Sequence, residues 1–304
     1  MEKKVGKENR ILWSGVWGEP DELYMGTLHG RGVQMKNVNE RVESDPAIVM
    51  QGGLAVAVDQ QIAMNADVKE KDEPAENLPF AQKIRKETSQ AHKLAESTNF
   101  VKGILRGVMD MESFANMQAG MYLVYEAMEE ELNRHKDHPL VRQVHFPELS
   151  RTEVLQKDMQ FLYGDDWRNQ VKLTPVRRKY IERIRQLGEQ NPELLVAHSY
   201  TRYLGDLSGG QVILKIARRS LGLKNRDGLR FFDFDEIEDS KSFKKEYRNR
   251  LNNLQLSEIQ ERGIIEEAKN VFALNQSLFE ELEGSWIRAL ANCLPSIFTR
   301  SQRA

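Results

Sequence analysis

A helical run interrupted by three glycines constrains this chain more than any other feature. Residues 193–204 read as helix and residues 212–218 resume it, yet Gly205, Gly209 and Gly210 fall between them. Each glycine costs about 1 kcal/mol relative to alanine in a helix interior, so three together demand a reason. Two physical reasons exist: the rod bends, or something flat lies against backbone bare of side chains. Asp206 sits inside the cluster, where its carboxylate would face whatever approaches. An ordinary linker followed by a new helix capped by Ser208 accounts for the same letters equally well.

From Leu78 onward strand signals nearly vanish. Phe80, Ile84, Ala91 and Ala95 recur at helical spacing, and so do Phe114, Met117, Met121, Val124 and Met128. Pro139, Pro147, Pro175 and Pro192 each fall near a predicted helix boundary. The pattern predicts helices near 80–105, 111–135, 151–163, 174–190, 192–221, 241–253 and 257–290, an all-α domain. With 40% hydrophobic and 30% charged residues in 304, the chain can build a sizeable core under a solvated surface.

Residues 1–77 read differently. They hold 14 of the 46 acidic and 9 of the 44 basic residues, which leaves 32 acidic and 35 basic for the rest. An acid-rich leader fits a plastid transit peptide badly. It reads as a small accessory segment, a disordered tail or an artefact of gene prediction. The domain organisation is thus an extension over 1–77, a helical domain over 78–290 and a tail over 291–304.

The formal net charge of −2 offers no global field for nucleic acid. One cysteine, Cys293, rules out an intramolecular disulfide and a thiolate-rich metal site, as expected of an intracellular chain. No run of about 20 apolar residues is present, so no membrane anchor is expected. The pentapeptide at 207–211 (LSGGQ) is also that of ABC-type ATPases, but the phosphate loop and sheet that reading needs are missing. No histidine has glutamate three positions before it, which excludes a di-iron carboxylate bundle.

His92 lies in line with Ile84 and Thr88 on one side and Ala95 and Glu96 on the other. By itself such a histidine is more often a packed core residue than a ligand. Lys244 and Arg248 stand one turn apart and can face one anion together, although such a pair is most often a solvated face.

Residues 195–211 (LVAHSYTRYLGDLSGGQ) resemble the distal-helix signature of the heme oxygenases. Residues 86–92 (KETSQAH), 122–131 (YLVYEAMEEE), 146–149 (FPEL), 163–164 (YG), 243–248 (FKKEYR) and 272–282 (FALNQSLFEEL) follow that family in order. The resemblance runs from about Leu78 to Trp286, and the tail is most similar to the soluble cyanobacterial and plastid branch. It implies the all-α heme oxygenase fold, with heme b as substrate and cofactor between a proximal helix and a kinked distal one.

On that resemblance His92 falls on the proximal iron ligand, and Glu96 on the acid that holds the ligand's other ring nitrogen. Gly205 and Gly209 fall where the distal helix crosses the ring. Asp206 matches the residue that holds a proton-delivering water, and Arg202, Tyr125, Tyr180 and Asn275 match the network around it. Tyr200, Lys244, Arg248 and Arg85 match contacts to the propionates, while Ser89 stands where the family usually offers lysine. Phe272 and Phe279 are ring-packing candidates that core packing explains equally well. His198 is expected to be structural, since a second iron ligand would block O2, and His135, His138 and His145 look like surface residues.

The implied reaction converts heme and O2 to biliverdin, CO and ferrous iron. Reduced ferredoxin is the implied donor, because the chain carries no flavin or nicotinamide fingerprint of its own. A monomeric catalytic domain of the cytoplasm or plastid stroma is expected, feeding pigment synthesis or iron recovery. A heme carrier or sensor that never turns its ligand over is the alternative; it would have no need of Asp206 and the glycines.

Overall fold

The computed structural model describes residues 78–283; the leader, Cys293 and the 291–304 tail lie outside the described residues. Among the described residues there is no strand. The α-helices are α1 (Phe80–Glu96), α2 (Asn99–Leu105), α3 (Met111–Arg134), α4 (Thr152–Tyr163), α5 (Trp167–Gln170), α6 (Pro175–Gln190), α7 (Leu195–Gly205), α8 (Gln211–Leu221), α9 (Ser240–Asn252) and α10 (Glu258–Glu281). The π-helical segment Asp206–Gly210 joins α7 to α8. Single 3-10 turns at Val141–Gln143, Pro147–Leu149, Pro192–Leu194 and Arg230–Phe232 complete the set. None of the described helices is long and apolar enough to cross a membrane.

Local chemistry sets most boundaries. Asp110 accepts from the Ser113 amide at 2.7 Å and starts α3. Thr174 caps α6 with Pro175 in its first turn, and Ser257 and Gln260 form a capping box that starts α10. Thr98 explains a departure from the predicted 80–105 helix. Its backbone is extended and its hydroxyl accepts from the Val101 amide, so the rod breaks at Ser97–Thr98 into α1 and α2. The short α5 and the 3-10 turns are additions that periodicity did not predict.

Other helix ends are capped from far away in the sequence. Glu129 on α3 accepts from the Arg151 and Thr152 amides at 2.5 and 3.0 Å and caps α4, which has no side-chain cap of its own. Asn252 accepts from the Ala81 amide at 2.8 Å at the start of α1. Asp158, fully buried on α4, accepts from the Arg230 and Phe231 amides at 3.1 and 2.8 Å. These bonds satisfy orphan amides while pinning one element to another.

Burial pushes the Asp158 carboxyl up to about 6 from an ordinary 3.8, against the pull of those amides. The folded chain therefore binds this proton more tightly than the unfolded chain. The resulting stabilisation is complete below pH 3.8 and is lost as pH rises through 6. Asp158→Asn is expected to gain on wild type between pH 4 and 7.5 by on the order of 2 kcal/mol, read from urea midpoints. A difference independent of pH would contradict this.

The core is layered around α10, which packs along α1 and against α7, with α3 lying against both α6 and α4. Close approach has specific requirements. At Gly188 in α6, a Cβ would overlap the Glu131 carboxylate of α3, whose side chain is 1% exposed. Gly188→Ala is expected to destabilise by about 1–3 kcal/mol, seen as a lowered urea midpoint with unchanged slope. An unchanged midpoint would show that Glu131 moves aside freely.

Candidate active site

The glycine-bearing run is continuous helix and not a linker. Across Asp206–Gly210 the i→i+5 pattern of a π-helix replaces the α pattern, a widening that is uncommon and often sits at functional sites. Here Gly205, Ser208 and Gly209 are half-exposed, whereas Leu204, Asp206, Leu207 and Gly210 are buried. One face of the rod is thus a strip almost bare of side chains, and the opposite face is packed. Against the packed face, Phe232 would lie 3.4 Å from a Cβ at Gly210 and its carbonyl accepts from Gln211 Nε2 at 2.7 Å.

Buried beside the strip is a polar network. The Tyr125 hydroxyl donates to Asp206 Oδ2, and Arg202 Nη2 lies 3.1 Å from Oδ1. Arg202 also donates from Nη1 to Asn275 Oδ1 at 3.1 Å, and the Tyr180 hydroxyl donates to the same oxygen at 3.3 Å. Helices α3, α6, α7 and α10 and the π segment each contribute to this cluster, so the five polar residues named from sequence lie in one connected set. Met121, which spacing marks only as an apolar core residue, also joins the set: its sulfur accepts from Arg202 Nη2 at 3.2 Å. Burial pushes the Asp206 carboxyl well above the ordinary carboxylate range. Tyr125 and Arg202 favour its charged form and oppose that push.

Helix α1 supplies His92. Its ring meets Phe272 edge-on, with centroids 5.2 Å apart. Burial and the charges of Arg85 and Lys93 hold the imidazole down to about 4, so near neutral pH it is the uncharged form that binds metals. Glu96 Oε1 lies 3.3 Å from His92 Nε2, within reach of one ring nitrogen. Burial raises Glu96 to about 8, and its Oε2 is buried without a hydrogen-bond partner. Phe279 is set apart from the histidine and stacks on Phe100 of α2, with centroids 6.2 Å apart.

A third group gathers where α1, α7 and α9 meet. Tyr200 is buried and hydrogen-bonded to Thr88, one turn before His92. Burial lifts its hydroxyl to about 12, with Arg85 and Arg248 pulling the other way. Lys244 is held below the ordinary lysine range by burial and by Arg248 one turn along. Two cations pressed together and partly dehydrated are relieved by an anion. Ser89 contributes no charge here, since it is exposed and its hydroxyl donates to the Lys86 carbonyl.

His198 is fully buried behind the network, its ring 5.9 Å from that of Tyr180. Its Nε2 lies 3.0 Å from Glu267 Oε1, and Arg183 and Asn270 also donate to that carboxylate. Burial alone would raise Glu267, but the bonds from His198 and Arg183 win and hold it at about 2. The histidines around Pro139 differ from expectation, since His135, His138 and His145 are half-buried. His145 Nε2 packs 2.7 Å from Asn133 Oδ1.

The residues therefore fit a wide, flat, dianionic metal complex. An uncharged imidazole stands ready, a crowded cation pair suits two carboxylates, and a bare helical strip suits a planar ring. Sequence comparison decides the family: the heme oxygenase family model matches residues 78–281.

The chain belongs to the heme oxygenase family. It is 43% identical over 224 residues to heme oxygenase 1 of Synechocystis sp., covering 74% of this chain and 93% of that one. The heme oxygenase of the red alga Porphyra purpurea is 44% identical over 217 residues, covering 71% and 92% of the two chains. Among solved structures, that of Synechocystis heme oxygenase-1 in complex with heme superposes with a TM-score of 0.70 at 42% identity. That likeness covers 73% of this chain and all of the other. The all-α heme oxygenase fold expected from the sequence is the one observed.

Proposed function

We propose that this chain oxidises heme to biliverdin, CO and ferrous iron between α1 and the bare strip of the α7–α8 rod. The observation that carries this placement is the convergence of Tyr125, Arg202, Tyr180 and Asn275 around Asp206 beside that strip. A protein that merely stored heme would have no use for such a network. Bound heme supplies both the iron that activates O2 and the ring carbon that is oxidised.

The chain's own residues would divide the remaining work. His92 binds the iron as a neutral imidazole, and Glu96 fixes the ring and its basicity. Gly205 and Gly209 let the macrocycle approach the backbone, which leaves no room for a second side-chain ligand. Asp206 holds a proton in a buried site, and Tyr125 and Arg202 orient its two oxygens. A weakly acidic group beside the strip suits oxygen insertion into carbon, because a strong acid or base there would favour cleavage of the O–O bond instead. Tyr200, Arg85, Lys244 and Arg248 bind the two propionates. Phe272 steadies the His92 ring, and Phe279 shapes the wall behind it.

The reaction consumes electrons singly, and reduced ferredoxin is the donor proposed. Exposed Lys102 and Arg106 at the end of α2 and exposed Lys215, Arg218 and Arg219 on α8 form a cationic edge suited to an acidic partner. The Ser220 hydroxyl donates to the Gly107 carbonyl at 3.0 Å and ties these two elements together. A catalytic domain over 78–290 is part of the same reading, as is operation in the cytoplasm or plastid stroma.

The test is direct. The full chain receives hemin, O2 and reduced ferredoxin, and the absorption spectrum is followed. Loss of the Soret band with appearance of a bilin is expected. A persistent Soret band with no bilin would favour the carrier reading.

A further inference from the structure

Lys244 meets the distal rod at one point: its Nζ donates to Ser208 Oγ at 3.1 Å. Ser208 belongs to the half-exposed strip with Gly205 and Gly209, and it is the one residue of those three that carries a side chain. A lysine tail has four rotatable carbons and loses much of its rotamer freedom when fixed. Arg248 repels it and the Asp239 carboxylate attracts it, and neither fixes a direction as a hydrogen bond does. The Ser208 hydroxyl is therefore the group that sets the height of the ammonium over the edge of the strip. A hydroxyl also has a donor to give while it accepts. The pair can thus present a carboxylate with two donors at a defined place.

We propose that Ser208 is a positioning residue, which fixes through Lys244 where one heme propionate is held and thereby which meso carbon faces Asp206. The proposal rests on the heme reading above. Ser89 sharpens the need, because its position on α1 carries a neutral hydroxyl turned back to the Lys86 carbonyl and not a charge. Anchoring then depends more heavily on α9, and the α9 cation that touches the distal rod is Lys244. The seating of a nearly symmetric ring is decided by small energies, so one hydrogen bond suffices to bias it.

The test uses the full chain loaded with hemin and converted to the ferric cyanide form. Its proton spectrum separates heme methyl signals for each seating, and the bilin isomers are separated independently after turnover. Ser208→Ala is expected to change the seating ratio about fivefold, the equivalent of one hydrogen bond of ~1 kcal/mol. The isomer ratio should follow. Ser208→Thr, which keeps the hydroxyl, should stay within about twofold of wild type. Lys244→Met should shift the ratio as far as Ser208→Ala, and the double variant should add nothing further.

An unchanged seating ratio in Ser208→Ala would overturn the proposal while leaving heme degradation by the wild type intact. So would an equal shift by Ser208→Ala in the Lys244→Met background, because the hydroxyl would then act without the lysine. Failure of the wild type to bind hemin would instead remove the heme reading on which both stand.

Discussion

Replacing His92 by alanine is expected to abolish bilin formation, lowering the rate by more than ~100-fold, and added imidazole should restore part of it. The residue is the one imidazole in the described domain that stands beside the cation group at Tyr200 while being held neutral, by burial and by Arg85 and Lys93. Exogenous imidazole can enter the space the side chain leaves, whereas a mutant that had merely lost stability would not respond to it. The rescue is therefore the decisive part of the experiment. Unchanged activity in His92→Ala would reject the ligand assignment outright.

Asp206→Ala is expected to lower biliverdin yield by roughly 10²–10⁴-fold, the range of a lost acid–base group. Oxidation of an added phenol, in the manner of a peroxidase, should rise at the same time. Two donors, Tyr125 and Arg202, aim at this carboxyl and would lose their acceptor together. Asp206→Asn keeps the size and one accepting oxygen but cannot carry the proton, so it separates the two effects. Loss of bilin in both variants assigns the role to the proton. Normal biliverdin from either would remove the proton-holding argument.

The sequence revealed the helices far better than it revealed their joints. Hydrophobic spacing and proline positions gave α3, α4, α6 and α9 nearly to their ends and α10 at its start, because capping by Asp110, Thr174 and Ser257 is local; α10 stops at Glu281, short of the predicted 290. The break at Thr98 was missed because a threonine inside an apolar repeat looks like any other helical residue. Glu129, Asp158 and Asn252 accept from helix-end amides 22, 72 and 171 residues away. No periodicity can announce such bonds.

Much the same holds for the site. The glycines around Asp206 called for a bend or a flat neighbour on composition alone, and the π segment with its bare strip answers that demand. The distal network was different: Tyr125, Tyr180 and Asn275 are unremarkable letters on three separate helices, and only the family resemblance singled them out. Met121 and Ser208 escaped both routes. A methionine reads as core, and a serine beside glycines reads as a cap.

The central claim is that one imidazole holds the heme iron and a bare helical strip covers the other face. Electron paramagnetic resonance of the purified full chain titrated with ferric hemin tests it most directly. One hemin per chain, bound through a single nitrogenous axial donor that disappears in His92→Ala, is the result predicted. Two nitrogenous donors in the resting state, or uptake well below one hemin per chain, would contradict it.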